Sequence, residues 1–238
     1  MSQPFAVFDI DGTVVRWQLY HAVVDSLLRQ GYIDKKKFEA VKIARMNWKR
    51  RVDADSFTEY ESELVKVFDA ALKGLPVNML EMAAQTVFGE YKEQVYAYTR
   101  DLIRDLKAKG YLLFVISGSP SLIVKKLADY YDFDDYAATE YPEQNGYFTG
   151  AKNLTIGRKG ELLEQLIAKH GLSKQDSIGV GDSEGDIAML ELCDRPIAFN
   201  PSKGLFEYAQ THNWEIVVER KNVIYRMHAD NGHYHLDA

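Results

Sequence analysis

The spacing of apolar residues divides this chain into stretches that predict different elements. The first is an unbroken apolar run at residues 5–8, followed by Asp9, Asp11 and a Gly-Thr pair. A short run of this kind, bounded by a glycine, predicts a strand that is buried on both faces within a parallel sheet. From Trp17 to about Tyr98 the apolar residues recur at helical spacing instead, so helices and no strand are predicted there.

From Thr99 onward, apolar runs and helical periods alternate along the chain. Alternation of this kind is typical of a parallel sheet covered by helices. Near the C-terminus, two strand-like stretches flank Asn231-Gly232, a dipeptide that favours a two-residue turn, and predict a β-hairpin over 222–237. Before this hairpin, strands are predicted at 111–116, 177–181, 196–199 and 215–218.

These elements predict an α/β core that is interrupted by a helical insert. A chain of 238 residues has room for one large domain, or for a core with a smaller insert. We expect residues 1–15 and 99–238 to form the core and residues 16–98 to form the insert. Ligands of such folds bind beyond the carboxyl ends of the strands, so polar residues at those ends are the first candidates for function.

Composition and charge narrow the class of protein. The chain is 46% hydrophobic and 27% charged, which is ordinary for a globular protein, and its net charge of -6 gives no basic bias toward nucleic acid. Cys193 is the only cysteine, which excludes an internal disulfide and suits a reducing compartment. The sequence has no signal-peptide pattern and no apolar stretch long enough to span a membrane. We therefore expect a cytoplasmic protein with no nucleic-acid or membrane partner.

Asp9 and Asp11 are the strongest candidates for chemistry. Because they are two residues apart on extended backbone, both carboxylates project in the same direction. Two like charges this close repel each other unless a cation lies between them or one of them is protonated. A simple turn after the strand is the alternative explanation, since Asp and Gly are common turn residues.

Further polar residues downstream favour the chemical explanation. Ser117 ends the second predicted strand, and Lys159 begins a helix. The stretch 181–186 contains Asp182 and Asp186, which are four residues apart and can face one side at the start of a helix. Taken singly, Ser117 could be a turn residue, Lys159 a solvated side chain and Asp182 a helix cap.

Four motifs, in their order along the chain, resemble those of the haloacid dehalogenase superfamily of phosphohydrolases: residues 9–13, Ser117, Lys159 and residues 181–186. Three further stretches are most similar to its phosphoserine-phosphatase-like branch: 116–119, 139–150 and 200–201. The resemblance implies a doubly wound, Rossmann-like parallel sheet with an all-helical cap inserted after the first strand. It also implies a Mg²⁺-dependent phosphatase that hydrolyses a small phosphorylated metabolite, a phosphomonoester, through an aspartyl-phosphate.

The resemblance gives each matching residue a role. Asp9 would be the nucleophile, and Asp11 would protonate the departing alcohol and then deprotonate the attacking water. Ser117 and nearby backbone N–H groups, such as that of Gly118, would donate hydrogen bonds to the phosphoryl oxygens. Lys159 would place a positive charge beside the same oxygens.

A Mg²⁺ ion is implied beside these residues. Asp9, Asp182 and the backbone carbonyl of Asp11 offer the hard oxygen ligands that Mg²⁺ prefers. Asp186 would support the ion directly or through a water molecule. The ion would bridge the nucleophile and the phosphate and neutralise the developing charge.

The residues just beyond the first motif are candidates for contacting the leaving group: Trp17, Gln18, Tyr20 and His21. For Tyr20 and His21, packing where the core meets the cap is the alternative explanation. Phosphoserine phosphatases carry a glutamate at the position of Gln18 and an arginine in the cap, whereas this chain has no arginine between Arg51 and Arg100. Phosphoserine hydrolysis is therefore an alternative function, and non-catalytic sensing of a phosphorylated ligand is another.

Three of the six histidines of the chain lie on the predicted C-terminal hairpin: His228, His233 and His235. Alternation of side chains along exposed strands explains their spacing, and this is the explanation that we favour. A metal-binding tract is the alternative.

Overall fold

An eight-stranded sheet forms the centre of the molecule in the computed structural model, which describes residues 3–53, 55–230 and 233–236. Two very short strands form a separate hairpin beside it. The strands are β1 Phe5–Phe8, β2 Leu112–Pro120, β3 Asp135–Thr139, β4 Glu143–Gln144, β5 Tyr147–Phe148, β6 Ile178–Gly181, β7 Arg195–Phe199, β8 Glu215–Arg220, β9 Val223–Asp230 and β10 His233–Leu236.

The strands of the large sheet follow the order β10-β9-β8-β7-β6-β1-β2-β3. All neighbours from β8 to β3 are parallel, whereas β9 and β10 pair antiparallel at one edge. This mostly parallel sheet confirms the predicted doubly wound, Rossmann-like α/β fold. The C-terminal hairpin continues the same sheet, and the predicted turn at Asn231-Gly232 lies outside the described residues.

Helices fill the intervals between most of the strands: α1 Leu19–Arg29, α2 Glu39–Arg50, α3 Ser56–Leu72, α4 Val77–Tyr91, α5 Ala97–Ala108, α6 Ser121–Tyr130, α7 Lys159–His170, α8 Ile187–Leu190 and α9 Lys203–Thr211. One turn of 3₁₀ helix, Glu184–Asp186, precedes α8. Helices α1 to α4 lie within the interval expected to form the insert, and the assignment of residues 16–98 as a separate cap domain stays a prediction. In the described part of the chain, no helix has both the length and the apolar character needed to cross a bilayer.

All four residues of β1 are apolar because both faces of the strand are buried. Phe5 and Val7 belong to a hydrophobic cluster that includes residues of α7 and α9. Ala6 and Phe8 belong to a second cluster, which continues into α1, α3 and α4. All four side chains are fully buried, and each large one contributes about 1.5–3 kcal/mol to the free energy of unfolding. The strand that leads into Asp9 is therefore held from both sides.

The helices of the expected insert are attached to the core at two places. The first attachment joins the two ends of the insert, where Val15 and Val95 form an antiparallel bridge. At the turn between α3 and α4, the Gly74 N–H donates to the Phe148 carbonyl at 2.9 Å, and the Phe148 N–H donates to the Leu75 carbonyl at 3.0 Å. The second attachment ties this turn to the small β4–β5 hairpin.

Candidate active site

Polar residues at the ends of three neighbouring strands meet at one edge of the sheet. Asp9 follows β1, Ser117 lies near the carboxyl end of β2, and Asp182 follows β6. These strands are adjacent and parallel, so their carboxyl ends lie side by side. Lys159 reaches the same place from the first turn of α7.

Lys159 lies between two carboxylates in the interior of this site. Its Nζ is 2.6 Å from Asp9 Oδ1 and 2.5 Å from Asp186 Oδ1. The exposed fractions are 3% for Asp9, 8% for Lys159 and 0% for Asp186, so all three charges depend on one another for compensation. The lysine fixes one oxygen of Asp9, and the other, Oδ2, accepts no hydrogen bond from the residues that the structure describes.

Three aspartates form an acidic cluster around this lysine. One carboxylate oxygen from each of Asp9, Asp182 and Asp186 lies within 4.8 Å of the others. Gly12 permits the approach of Asp182, because its φ of +91° suits glycine and a Cβ at this position would overlap the Asp182 carboxylate. Three negative charges exceed the single positive charge of Lys159, and crowded carboxylate oxygens are the ligands that hard divalent cations prefer. The cluster therefore fits a metal ion.

The carboxylate of Asp11 faces a different set of partners, all of them hydrogen-bond donors. Its Oδ1 accepts the N–H of Leu19, the first residue of α1, at 2.5 Å. Its Oδ2 accepts the hydroxyl groups of Ser117 and Ser119, each at 2.8 Å. Three donors hold the side chain in one orientation, which is what an acid–base catalyst requires.

Asp186 organises the loop that follows β6. Its Oδ2 accepts the backbone N–H of Asp182 at 3.1 Å, and the backbone N–H and hydroxyl of Ser183, each at 3.0 Å. Ser183 and Asp186 form a capping box, so Ser183 rather than Asp182 caps the 3₁₀ turn. Because its other oxygen contacts Lys159, Asp186 positions both Lys159 and Asp182.

Burial and mutual repulsion shift the pKa values in this site. Burial and neighbouring carboxylates outweigh the attraction of Lys159 and raise the pKa of Asp9 to about 7. Burial and the charge of Asp9 raise the pKa of Asp182 well above its ordinary value. Burial also raises the pKa of Asp11, although its hydrogen-bond donors oppose the rise. Burial acts to lower the pKa of Lys159, but the two carboxylates that it contacts prevail and raise it. A bound cation would relieve the excess negative charge.

Gln18 and Trp17 lie at the start of α1. Gln18 directly precedes Leu19, whose N–H contacts the Asp11 carboxylate, and the Gln18 side chain is half-buried without capping the helix. Trp17 is also half-buried. Both side chains thus lie within two residues of a group that Asp11 binds, and their contact with a leaving group stays a prediction.

Tyr20 and His21 pack inside the helical region. The Tyr20 ring lies edge-on to Phe68, with ring centroids 5.1 Å apart, and the His21 ring lies edge-on to Tyr60 at 4.8 Å. His21 is 1% exposed, and its Nε2 is 3.8 Å from Glu61 Oε1. In these contacts Tyr20 and His21 pack against α3, and packing was the alternative to contact with the leaving group for both residues.

Gly118 allows the loop before α7 to approach the end of β2. A Cβ at Gly118 would lie 3.1 Å from Cγ1 of Ile156, so a larger residue would push this loop outward. The loop leads directly to Lys159, and its position helps to set where the lysine enters the site. Donation of the Gly118 N–H to a phosphoryl oxygen stays a prediction.

Comparison with known proteins decides the family. The model of the haloacid dehalogenase-like hydrolase family matches residues 6–191, which is most of the chain. The chain belongs to this family. It is similar to the phosphoserine phosphatase of Archaeoglobus fulgidus, with 27% identity over 206 residues that cover 85% of this chain and 54% of that protein. The phosphoserine phosphatase of Methanocaldococcus jannaschii is 26% identical over 220 residues, which cover 91% of this chain and 92% of that protein.

The chain thus spans about half the length of the first relative and nearly all of the second. Both relatives are phosphoserine phosphatases, the branch of the family that residues 116–119, 139–150 and 200–201 resemble. A crystal structure of a Bordetella pertussis Tohama I protein of unknown function matches with a TM-score of 0.72 and 22% identity, covering 91% of this chain and 98% of that one. This last likeness shows the fold alone.

Two partners of Asp11 in this haloacid dehalogenase-like hydrolase were missed by the sequence analysis. Ser119 could have been predicted from the sequence, because residues 117 and 119 are two apart near the end of a strand and project to the same side. The Leu19 N–H could not, because a backbone donor acquires its role only from where the helix begins.

We expect the metal-free hydrolase to lose stability as Asp9 loses its proton. An unfolded aspartate has a pKa of about 4, whereas Asp9 in the fold has a pKa of about 7. The folded state binds the proton more tightly, so this contribution is complete below about pH 4 and is lost by about pH 7, at a cost of at most about 4 kcal/mol. Asp9→Asn removes the contribution, and in the presence of a chelator at about pH 8 its free energy of unfolding should exceed that of the parent.

Urea unfolding at several pH values measures this difference. Asp101→Asn, on the partly exposed surface of α5, controls for the general effect of removing a carboxylate. Equal stability of the parent and Asp9→Asn at the higher pH would contradict the electrostatic account of the site.

Proposed function

We propose that this protein is a Mg²⁺-dependent phosphatase that hydrolyses a small phosphorylated metabolite through an aspartyl-phosphate on Asp9. The observation that carries the proposal is the difference between the hydrogen-bond partners of Asp9 and those of Asp11. Asp9 is held by Lys159 through one oxygen only, whereas Asp11 is held by three donors, one from α1 and two from β2. A nucleophile needs one unengaged oxygen, and an acid–base group needs a fixed orientation.

In this proposal, Asp9, Asp182 and the Asp11 carbonyl hold Mg²⁺, with support from Asp186. The acidic cluster and its excess negative charge support a hard divalent ion there. When bound, Mg²⁺ would supply charge neutralisation for the phosphate dianion next to the carboxylates. Lys159 would add a second positive charge, which its raised pKa keeps on the side chain.

The protein's own groups then account for each bond change. Oδ2 of Asp9 attacks phosphorus in line with the ester oxygen, and the bond between phosphorus and that oxygen breaks. Asp11 gives its proton to the departing alkoxide, so the leaving group departs as an alcohol. Asp11 then takes a proton from a water molecule that attacks the aspartyl-phosphate, which releases phosphate and restores Asp9.

We propose further that residues 16–98 act as a cap over this site. The N-terminus of α1 contacts Asp11 directly, so a movement of the helices would reach the acid–base group through Leu19. Closure of such a cap would exclude water before the ester is cleaved. A metabolite substrate and a single cysteine fit the cytoplasm as the place of action.

The leaving group in this proposal carries no ammonium and carboxylate pair. Gln18 stands at the start of α1 where an acidic residue would pair with an ammonium, and Lys66 and Lys73 offer a carboxylate only point charges without bidentate geometry. Phosphoserine is the second candidate substrate, favoured by the two phosphoserine phosphatases that the chain resembles. The pairing of Lys159 with Asp9 argues for catalysis over mere sensing of a phosphorylated ligand.

Phosphate release from a panel of small phosphomonoesters, with Mg²⁺ or with a chelator, tests the proposed activity. We expect metal-dependent turnover that is strongest for an ester other than phosphoserine. Strong selectivity for phosphoserine would overturn the substrate assignment, and tight binding of esters without hydrolysis would replace the enzyme by a sensor.

A single substitution tests the proposed role of Gln18. We expect Gln18→Glu to raise kcat/KM for amine-bearing esters relative to neutral ones by about two- to fivefold, since an ion pair with an ammonium contributes up to about 1 kcal/mol. Gln30→Glu, at the exposed far end of α1, adds the same charge and should leave the ratio unchanged. An unchanged ratio in Gln18→Glu would remove this residue from the leaving-group site.

A further inference from the structure

Three exposed histidines lie together on the C-terminal hairpin, at the edge of the sheet away from the acidic cluster. His233 and His235 are two residues apart on β10, and the strand register places His235 directly opposite His228 of β9. All three side chains are exposed. The rings of His228 and His235 have centroids 6.1 Å apart and are inclined by 35°.

The alternation of the strands places these three imidazoles on one face. Tyr234, between the two histidines of β10, points to the opposite face, where its hydroxyl donates to the carbonyls of Ala209 and Trp214 at 2.9 and 2.8 Å. His233 and His235 therefore project away from α9. A residue directly across an antiparallel pair projects to the same face, which adds His228 to the group.

We propose that His228, His233 and His235 bind one divalent transition-metal ion of the Zn²⁺ class. In a Zn²⁺ site each imidazole nitrogen lies about 2.0–2.1 Å from the ion, so two ring centroids are about 5–6 Å apart. The observed separation of 6.1 Å between the rings of His228 and His235 is close to this range. His233 lies on the same face two residues from His235, and its exposed side chain would rotate to bring a ring nitrogen to the same ion. A water molecule completes the tetrahedron.

The ligand chemistry separates this site from the acidic cluster. Imidazole nitrogen suits Zn²⁺, Cu²⁺ and Ni²⁺, whereas carboxylate and carbonyl oxygens suit Mg²⁺. Five strand-to-strand steps separate β10 from β1, a distance of about 24 Å at about 4.8 Å per step. The ion would cross-link the edge strand β10 to β9, in addition to the hydrogen bonds that already join the two strands.

Isothermal titration of the full chain with Zn²⁺, in saturating Mg²⁺, tests the proposal. We expect one Zn²⁺ per chain. Loss of a group that merely supports a ligand weakens metal binding by about 10- to 100-fold, so His233→Gln and His235→Gln, which each remove a ligand, should weaken Zn²⁺ binding at least about tenfold. His212→Gln, at an exposed histidine of the loop after α9, should leave it unchanged.

Three other outcomes would each contradict the proposed histidine site. Unchanged Zn²⁺ affinity in both hairpin variants would remove the histidines as ligands. Loss of Zn²⁺ binding in Asp182→Asn, with the hairpin variants unaffected, would assign the ion to the acidic cluster. A stoichiometry of one ion per two chains would place the ion between two copies rather than within one hairpin. Because the substituted histidines are exposed, circular dichroism should show the histidine variants folded, and the same measurement checks the fold of Asp182→Asn.

Discussion

Asp9→Asn is expected to abolish turnover, with a loss on the order of 10⁴-fold or more in kcat, because it removes the nucleophile. The amide is nearly the same size as the carboxylate, and Lys159 keeps its second partner, Asp186, at 2.5 Å. The fold should therefore survive, and the loss of activity should reflect removal of the nucleophile, which is also a proposed Mg²⁺ ligand, rather than unfolding. Phosphate release at saturating substrate and Mg²⁺ measures the effect.

Asp101→Asn serves as the matched control, since it replaces a partly exposed aspartate of α5 by the same amide. Its activity should equal that of the parent. If Asp9→Asn retained more than about one hundredth of the parental kcat, water rather than Asp9 would be the attacking group, and the covalent mechanism would be wrong.

Asp11→Asn is expected to lower turnover of alkyl phosphomonoesters by about 10²- to 10⁴-fold, since the leaving alkoxide loses its proton donor. A nitrophenyl ester needs little protonation, so its first step should proceed. The second step still lacks a base for the attacking water. A rapid-mixing experiment should therefore show a burst of one nitrophenolate per chain followed by slow turnover, and no burst from the alkyl ester.

Ser119→Ala provides the comparison for this result. It removes one of the two hydroxyl groups on Asp11 Oδ2 and leaves the carboxylate in place, so a loss of about tenfold without a burst is expected. Equal losses for nitrophenyl and alkyl esters in Asp11→Asn would contradict the assignment of Asp11 as the acid.

The sequence was sufficient for the parts of the fold that depend on local pattern. The fully apolar run at residues 5–8 predicts a central parallel strand, and β1 is buried on both faces as such a run requires. The position of Asp9 at the end of that strand follows from the same pattern. Because the carboxyl ends of parallel strands share one edge, Ser117 and Asp182 could be expected near Asp9 without knowledge of any distance.

Other features depend on close approaches that no local pattern encodes. The Leu19 N–H reaches Asp11 only because α1 begins where the chain leaves the sheet, eight residues after that aspartate. Asp186 was expected to support a metal, and its contacts with Lys159 and with the loop at Ser183 emerge only from the folded geometry. The terminal hairpin was expected from its turn signal, but its antiparallel addition to the main sheet depends on pairing with β8.

The passage of the phosphoryl group through Asp9 is the central claim, and one measurement tests it most directly. The protein is mixed with Mg²⁺ and the best ester of the panel, quenched in acid within the first turnover, digested and examined by mass spectrometry. We predict one phosphoryl group on the peptide that contains Asp9, absent from Asp9→Asn and accumulating in Asp11→Asn with the nitrophenyl ester. Full hydrolysis with no phosphoryl group on that peptide at any quench time would contradict the account.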